Sequence, residues 1–480
     1  MHPELRISID GVAEFLPAAR YTLATMALIA GRRVRFVEEN ATLHYGPVPV
    51  ANAVWLPASD RGRDLLARRR IDPDARDIDV AGIRILGLFP VDDTATLPTD
   101  IVAAAFYFLS LHEEWTAVEH DQFGRVRATD SLLGRRGETA RPVVAEYADV
   151  LRAVLGETGG DASPRFGGYA AAAVMTHDID YLSKWTPGLV LREVGKNFLL
   201  NRRKVSFSER WTRFREYLAF RHRSADPYVV SIMRMLEVEQ RHGIVASWLF
   251  KAGGTDRRDV TYALSSPRAR GVFEQLGAAG HDIGLHPSFH AHANARMLTR
   301  EASRLRTATG VRLRSVRQHY LRFEYPTTWR NQVAEGLFVD STLGFAEREG
   351  FRNGSCHPFL PWDAEARAPL PIWELPLTVM DGTLAHYRGL SNEAAERRIA
   401  EMLDIAANAR GVAVLLFHNT SYDAHDFPGW GKIFERTAAR IADGRFLTRP
   451  LPVVVEEWLA SAGYASTEEF LQVINPVPVG

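Results

Sequence analysis

From Tyr169 onward, short apolar runs alternate with stretches of helical periodicity, and this alternation limits the folds open to the chain more than any other feature. The runs fall at 170–175, 245–250, 281–285, 316, 338–339, 373–377 and 412–417. Runs of that length, separated by helical segments, build parallel β/α units, wrapped as a distorted barrel or left as an open sheet. In such folds the chemistry gathers where the strands end. The sequence follows that rule. The first run leads into Thr176-His177-Asp178-Ile179-Asp180, and others stop at His286, Arg317, Asp340 and His418. One His after a strand is an ordinary structural residue, whereas five polar strand ends point to a shared site.

The first third of the chain has a different texture. Ile101, Ala104, Phe108 and Leu111 recur at helical spacing, and the apolar stretch 21–30 reads as a buried helix. The expectation is an α/β protein in two parts: a smaller α/β or α+β N-terminal domain over 1–165, then a catalytic domain over 166–480. The Gly-, Asp-, Ser- and Pro-rich segment 156–168 marks the boundary. Asp100, Glu113, Glu114 and Asp121 are expected on a solvated surface, with service at an interface as the alternative. A connection of about a hundred residues between the first and third runs predicts a long insertion at about 181–240. Within it, 192–223 carries about ten Lys and Arg against few acids, expected as a solvated helix pair, with a basic lid over an anionic substrate as the sharper alternative.

Composition narrows the partners. With 58 Lys and Arg against 58 Asp and Glu among 480 residues, no global field draws the chain to nucleic acid. A lone cysteine, Cys356, excludes an internal disulfide and a cysteine-built zinc cage, and suits a reducing compartment. The opening Met1-His-Pro-Glu-Leu-Arg6 lacks a basic-then-apolar leader, and no run approaches the roughly 20 apolar residues that span a bilayer. A cytoplasmic protein without a transmembrane segment is expected.

The strand ends carry the ingredients of a metal site. In His286-Pro-Ser-Phe-His290 two imidazoles lie four residues apart, which on a helical turn puts both on one face. Asp178 and Asp180 lie two apart, which in extended chain points both carboxylates the same way. One cation resolves their repulsion by binding one of them, and these spacings leave open which.

Taken in order, these stretches resemble the five motifs of the NodB-type polysaccharide deacetylases, carbohydrate esterase family four. The matching segments are Thr176-His-Asp-Ile-Asp180, Gly280-His-Asp-Ile-Gly-Leu-His-Pro-Ser-Phe-His290, Arg317-Gln-His-Tyr320, Phe338-Val-Asp-Ser-Thr342 and Leu416-Phe-His-Asn419, spread over about 166–450. The resemblance implies a distorted (β/α) barrel. It also implies Asp178 as catalytic base, Asp180, His286 and His290 as metal ligands, His418 as general acid, Arg317 as holder of the base and Asp340 as the carboxylate orienting His418. The implied cofactor is one divalent ion, zinc first, with cobalt, manganese or nickel as alternatives. The first motif reads Asp-x-Asp where the family has adjacent aspartates, with His177 in place of Phe, so the ligand stays open between Asp178 and Asp180. The third lacks its prolines and the fourth its Asp-Trp pair, which puts the usual sugar groove in question.

Two further stretches, 350–359 and 374–381, resemble a subgroup with an extra N-terminal domain often encoded with polysaccharide assembly. In them Arg352 and His357 read equally as loop structure, and Glu374 as facing the pocket or capping a loop. The expected function is a metal-dependent hydrolase that removes an N-acyl group, acetyl first, from an amino sugar or glycan intermediate. Alternatives are an amidohydrolase acting on a non-sugar amide or imide, and a non-catalytic glycan-assembly protein with the same fold. Two His and a carboxylate also form the facial triad of non-haem iron oxygenases, but those sites sit on a double-stranded β-helix, which this alternation does not build.

Overall fold

The structure, a computed structural model, describes residues 4–91, 95–115, 119–157, 165–184, 191, 206–221, 226–423 and 427–475. Much of the basic stretch 192–223 therefore lies outside the described residues; its described portion holds the helix Phe207–Arg221.

The N-terminal portion builds a parallel sheet from β1 (Leu5–Ile9), β2 (Val34–Phe36), β3 (Leu43–Gly46) and β4 (Val54–Pro57), in the order β2-β1-β3-β4. Strands β5 (Arg76–Val80) and β6 (Ile83–Gly87) form an antiparallel hairpin beside it. The helix Leu16–Ile29 starts with Pro17 in its first turn, where the missing N–H costs nothing, and buries most of its residues. The helix Ile101–Leu109 is buried along its whole length. Its N-terminus is capped by Asp100, which accepts from Ala103 N at 2.9 Å and from Tyr45 Oη. Asp100 is fully buried, not solvated as expected, and burial raises its carboxyl to about 6.

The second sheet is parallel throughout. It comprises β7 (Ala171–Ile179), β8 (Ser247–Phe250), β9 (Asp282–Leu285), β10 (Ser315–Val316), β11 (Val339–Asp340), β14 (Trp373–Glu374), β15 (Val379–Met380), β16 (Val412–Leu416) and β17 (Phe446–Leu447). The short antiparallel pair β12 (Trp362–Asp363) and β13 (Ala368–Pro369) stands apart. The strand path is β14-β11-β10-β9-β8-β7-β16-β15, with β17 also pairing to β7. Its two ends, β14 and β15, are consecutive in the chain and joined by residues 375–378 alone. Five peptide steps span at most about 18 Å, so the sheet must curl until its edges nearly meet. This is a distorted half-barrel closed by chain where strand pairing stops.

All nine residues of β7 are buried, as expected of a strand covered on both faces. Alternation sends Thr176 and Asp178 to the face shared with Arg317, while His177 turns the other way onto Trp248 and Glu239. Its Nε2 lies 2.7 Å from Glu239 Oε1, tying β7 to the helix Pro227–Arg241.

The two portions share one continuous core. Tyr21 donates to Leu360 O at 2.7 Å, and its ring lies 5.1 Å from that of Trp362. Arg352 makes a two-pronged pair with Glu114 at 2.9 and 2.7 Å, which holds that acid, partly buried, against the second portion. No helix among the described residues is long and apolar enough to cross a membrane.

Candidate metal centre

At the C-terminal end of the curled sheet lies a cleft of about 270 Å³ lined by Asp178, Asp180, Lys251, His286, His319 and His418, among others. Asp180, His286 and His319 each offer one ligand atom, and these atoms lie within 4.8 Å of one another. Asp180 follows the end of β7, His286 the end of β9, and His319 opens the turn His319–Leu321 after β10. Three strands of one sheet, β7 and the adjacent pair β9 and β10, thus deliver three ligands.

Both rings are held from behind. His286 Nδ1 donates to Arg317 O at 2.8 Å, and His319 Nδ1 donates to Asp259 Oδ1 at 3.0 Å. The carbonyl fixes the His286 proton on Nδ1, and the Asp259 carboxylate favours the same tautomer for His319, whose Nδ1 also lies 3.0 Å from Lys251 Nζ; in that state the Nε2 lone pairs face Asp180 Oδ1, at 3.5 and 3.3 Å. Neither contact is a hydrogen bond, and Asp180 Oδ1 is a buried oxygen with no hydrogen-bond partner among the described residues. Two aimed imidazole nitrogens around an orphaned carboxylate oxygen fit a divalent cation. Burial alone would raise the Asp180 carboxyl, but with no ion between them His319 and His286, when protonated, hold it well below the usual range.

Asp178 points into the same cleft and accepts from Arg317 Nη1 at 3.0 Å. Arg317 is fully buried; its Nη1 donates also to Thr176 Oγ1, and its Nε and Nη2 go to Ser341 O and Ser341 Oγ. That leaves it no freedom to turn away. His418 Nδ1 lies 2.7 Å from Asp381 Oδ1, and its Nε2 faces Asp180 Oδ2 at 3.9 Å. Burial works against a charged ring, yet Asp381, helped by Asp180 and Asp178, raises His418 to about 10. The arrangement offers a held carboxylate, a protonated imidazole and a cation-type cradle on one cleft.

Residues 13–159 match a family of unknown function, DUF7033. No curated protein matches the chain. Among solved structures, one from Mycobacterium smegmatis assigned to a polysaccharide deacetylase is 17% identical with a TM-score of 0.41, covering 62% of this chain and 95% of that one. A CE4 family pseudoenzyme from Bacillus anthracis is 9% identical, TM-score 0.33, covering 63% and 72%. The chitin deacetylase of the fungal pathogen Colletotrichum lindemuthianum is 10% identical, TM-score 0.31, covering 62% and 90%. At these TM-scores the chemistry of the present chain has to be read from its own residues.

Two expected site residues lie elsewhere. His290 is half exposed and pairs with Asp256 at 3.1 Å, outside the cluster. The segment 286–290 forms no helical turn: Ser288 N and Oγ go to Glu301, and Phe289 N goes to Asp259. Without a helix, spacing four residues apart no longer gives a common face. The third nitrogen comes instead from His319, in a motif where the sequence had drawn attention only to Arg317.

Asp340 does not reach His418. It sits on β11, with β10, β9, β8 and β7 between it and β16. There it is in register with Glu374, whose oxygens accept from Leu343 N and Trp329 Nε1. Burial raises both carboxyls, and the charge on Asp340 raises Glu374 further, so the two act as a structural acid pair behind the site. The carboxylate that orients His418 is Asp381, which follows β15, the neighbour of β16. Its signal was another strand end, hidden because β15 is only two residues long and lies outside the apolar runs.

Glu113 is partly buried, accepts from Leu132 N at 2.7 Å and is raised by burial to about 7. Asp121 pairs with Arg125 at 2.6 Å. These acids, too, have partners where a solvated surface was expected.

Proposed function

We propose that the protein is a divalent-metal-dependent hydrolase that removes an N-acyl group, acetyl first, from an amino sugar or glycan intermediate during polysaccharide or glycoconjugate assembly in the cytoplasm. In this reading residues 1–165 form an N-terminal domain and 166–480 the catalytic one. The observation that carries it is the division of labour on one cleft: a carboxylate locked by Arg317, an imidazolium locked by Asp381, and two Nε2 lone pairs converging on Asp180. The sugar part rests on the resemblance of the five sequence motifs.

Asp180, His286 and His319 would hold the ion, which supplies Lewis acidity toward the acyl oxygen and lowers the pKa of water. Asp178 is kept from ligation by Arg317 and takes the proton of the attacking water. Charged His418 gives its Nε2 proton to the departing nitrogen, and Asp381 steadies the ring throughout. Lys251, with its Nζ 3.0 Å from Asp259, holds the carboxylate behind His319.

The test is chelation followed by reloading with zinc, cobalt, manganese or nickel, with acetate release measured on a panel of N-acetylated amino sugars and glycans. Metal-dependent release from at least one member is the expected result. One metal bound per chain with no release from any member overturns the reading.

A further inference from the structure

The mouth of the cleft is built from arginines interleaved with aromatic rings. Arg125 lies 4.8 Å from the Phe123 ring centroid and 5.6 Å from that of Tyr387. Arg258 sits between Phe123 at 5.8 Å and Phe289 at 4.5 Å, and Arg322 covers Phe289 at 4.1 Å. Ring faces support each guanidinium plane, so these cations are ordered before any ligand arrives.

Their hydrogen bonds are unequally committed. Arg125 spends Nε and Nη2 on Asp121, Nη2 also on Tyr387 Oη, and Nη1 on Tyr320 O. Arg258 gives Nη1 to Asp256 Oδ1 at 2.9 Å, and no acceptor among the described residues takes its Nε or Nη2. Asp256 is shared besides with His290. Arg322 donates to Phe289 O and faces His290 Nδ1 at 3.4 Å; its Nε has no partner among the described residues. Three guanidiniums therefore face two carboxylates, Asp121 and Asp256, and Arg258 lines the cleft with half of its fork unspent.

We propose that the substrate of this cleft carries an anionic group, a phosphate or a carboxylate, seated on the free Nε–Nη2 side of Arg258. The proposal rests on the hydrolase reading for the identity of the cleft and adds to it the charge class of the substrate. A planar fork backed by two rings matches the two-oxygen edge of such groups. Tyr320 and Tyr387, which line the same cleft, leave ring surface for the body of a sugar. The wall is composite: Arg125, which lines the cleft, and Phe123, packed against Arg125 and Arg258, come from the part of the chain that matches the family of unknown function, and that part thereby gains a role in selecting substrate.

The test is calorimetric titration of the full chain, chelator-stripped and zinc-loaded, with N-acetylglucosamine, N-acetylglucosamine 1-phosphate and N-acetylmuramic acid. At least one of the two anionic sugars should bind about tenfold or more tightly than the neutral one, with or without zinc. Which of the two wins distinguishes phosphate from carboxylate. Arg258→Gln should erase the preference while zinc stoichiometry and Tm hold, and Arg258→Lys should restore part of it. Equal affinity for the three sugars, a preference that survives Arg258→Gln, or one that appears only with zinc overturns the proposal. Failure of the hydrolase reading is seen separately, as absent zinc binding or absent acetate release while the preference for anions stands.

Discussion

His319 does two jobs with two nitrogens. Nε2 faces Asp180, and Nδ1 meets Asp259, an oxygen that Lys251 also holds. It is followed by Tyr320 and Leu321, both in the left-handed region at φ 63 and 54, a strained backbone of the kind that persists at functional sites. His319→Ala should abolish tight zinc binding, whereas His290→Ala should leave it intact, as read by competition with a chromophoric chelator. Asp259→Asn should weaken zinc binding by about 10–100-fold, because it loosens the ring and leaves the ligand in place. The site was half legible in the sequence. Asp178, Asp180, His286, Arg317 and His418 stand at strand ends, where period and topology fix direction. His290 misled because it needed a helix that Glu301 and Asp259 prevent by claiming Ser288 and Phe289. Asp381 stayed hidden because its strand is only two residues long, too short for periodicity to show.

Among the elements, β9 and β10 approach closely at Gly284. A Cβ there would lie 2.2 Å from Ser315 Oγ and 2.7 Å from Ser315 O, and backbone cannot yield as a flexible side-chain tip can. Gly284→Ala should cost about 1–3 kcal/mol in urea unfolding and weaken zinc binding too, since it spreads the strands that carry His286 and His319. Seven of the nine strands in this sheet were visible as apolar runs, because buried parallel strands read as continuous hydrophobic sequence. The longest, β7 and β16, were the easiest to see. Strands β15 and β17 were missed, each being two residues whose hydrogen bonds depend on neighbours far away in sequence.

At the scale of the molecule, a shared core makes the two sequence portions unfold together. Arg352 is buried, and Glu114 is its charge partner. Glu114→Ala should therefore cost about 3–5 kcal/mol and shift one common thermal transition, as followed by calorimetry. His357, buried beside the core, is lowered to about 3 by burial, with the charge of Arg165 adding to the effect. Its folded-state pKa lies below the unfolded value of about 6.5, so its stabilising contribution is full above that value and is lost as the pH falls toward 3. Between pH 7 and pH 5 the wild type should lose about 2 kcal/mol more than His357→Gln in urea unfolding. Last, residues 375–378 work as the clasp of a bracelet. Leu375 N is held to Asp340 O on one rim, and Thr378 N to Val414 O on the other. Three residues past that clasp sits Asp381, so the aim of the proton donor is set by how tightly a four-residue thread pulls the two rims together.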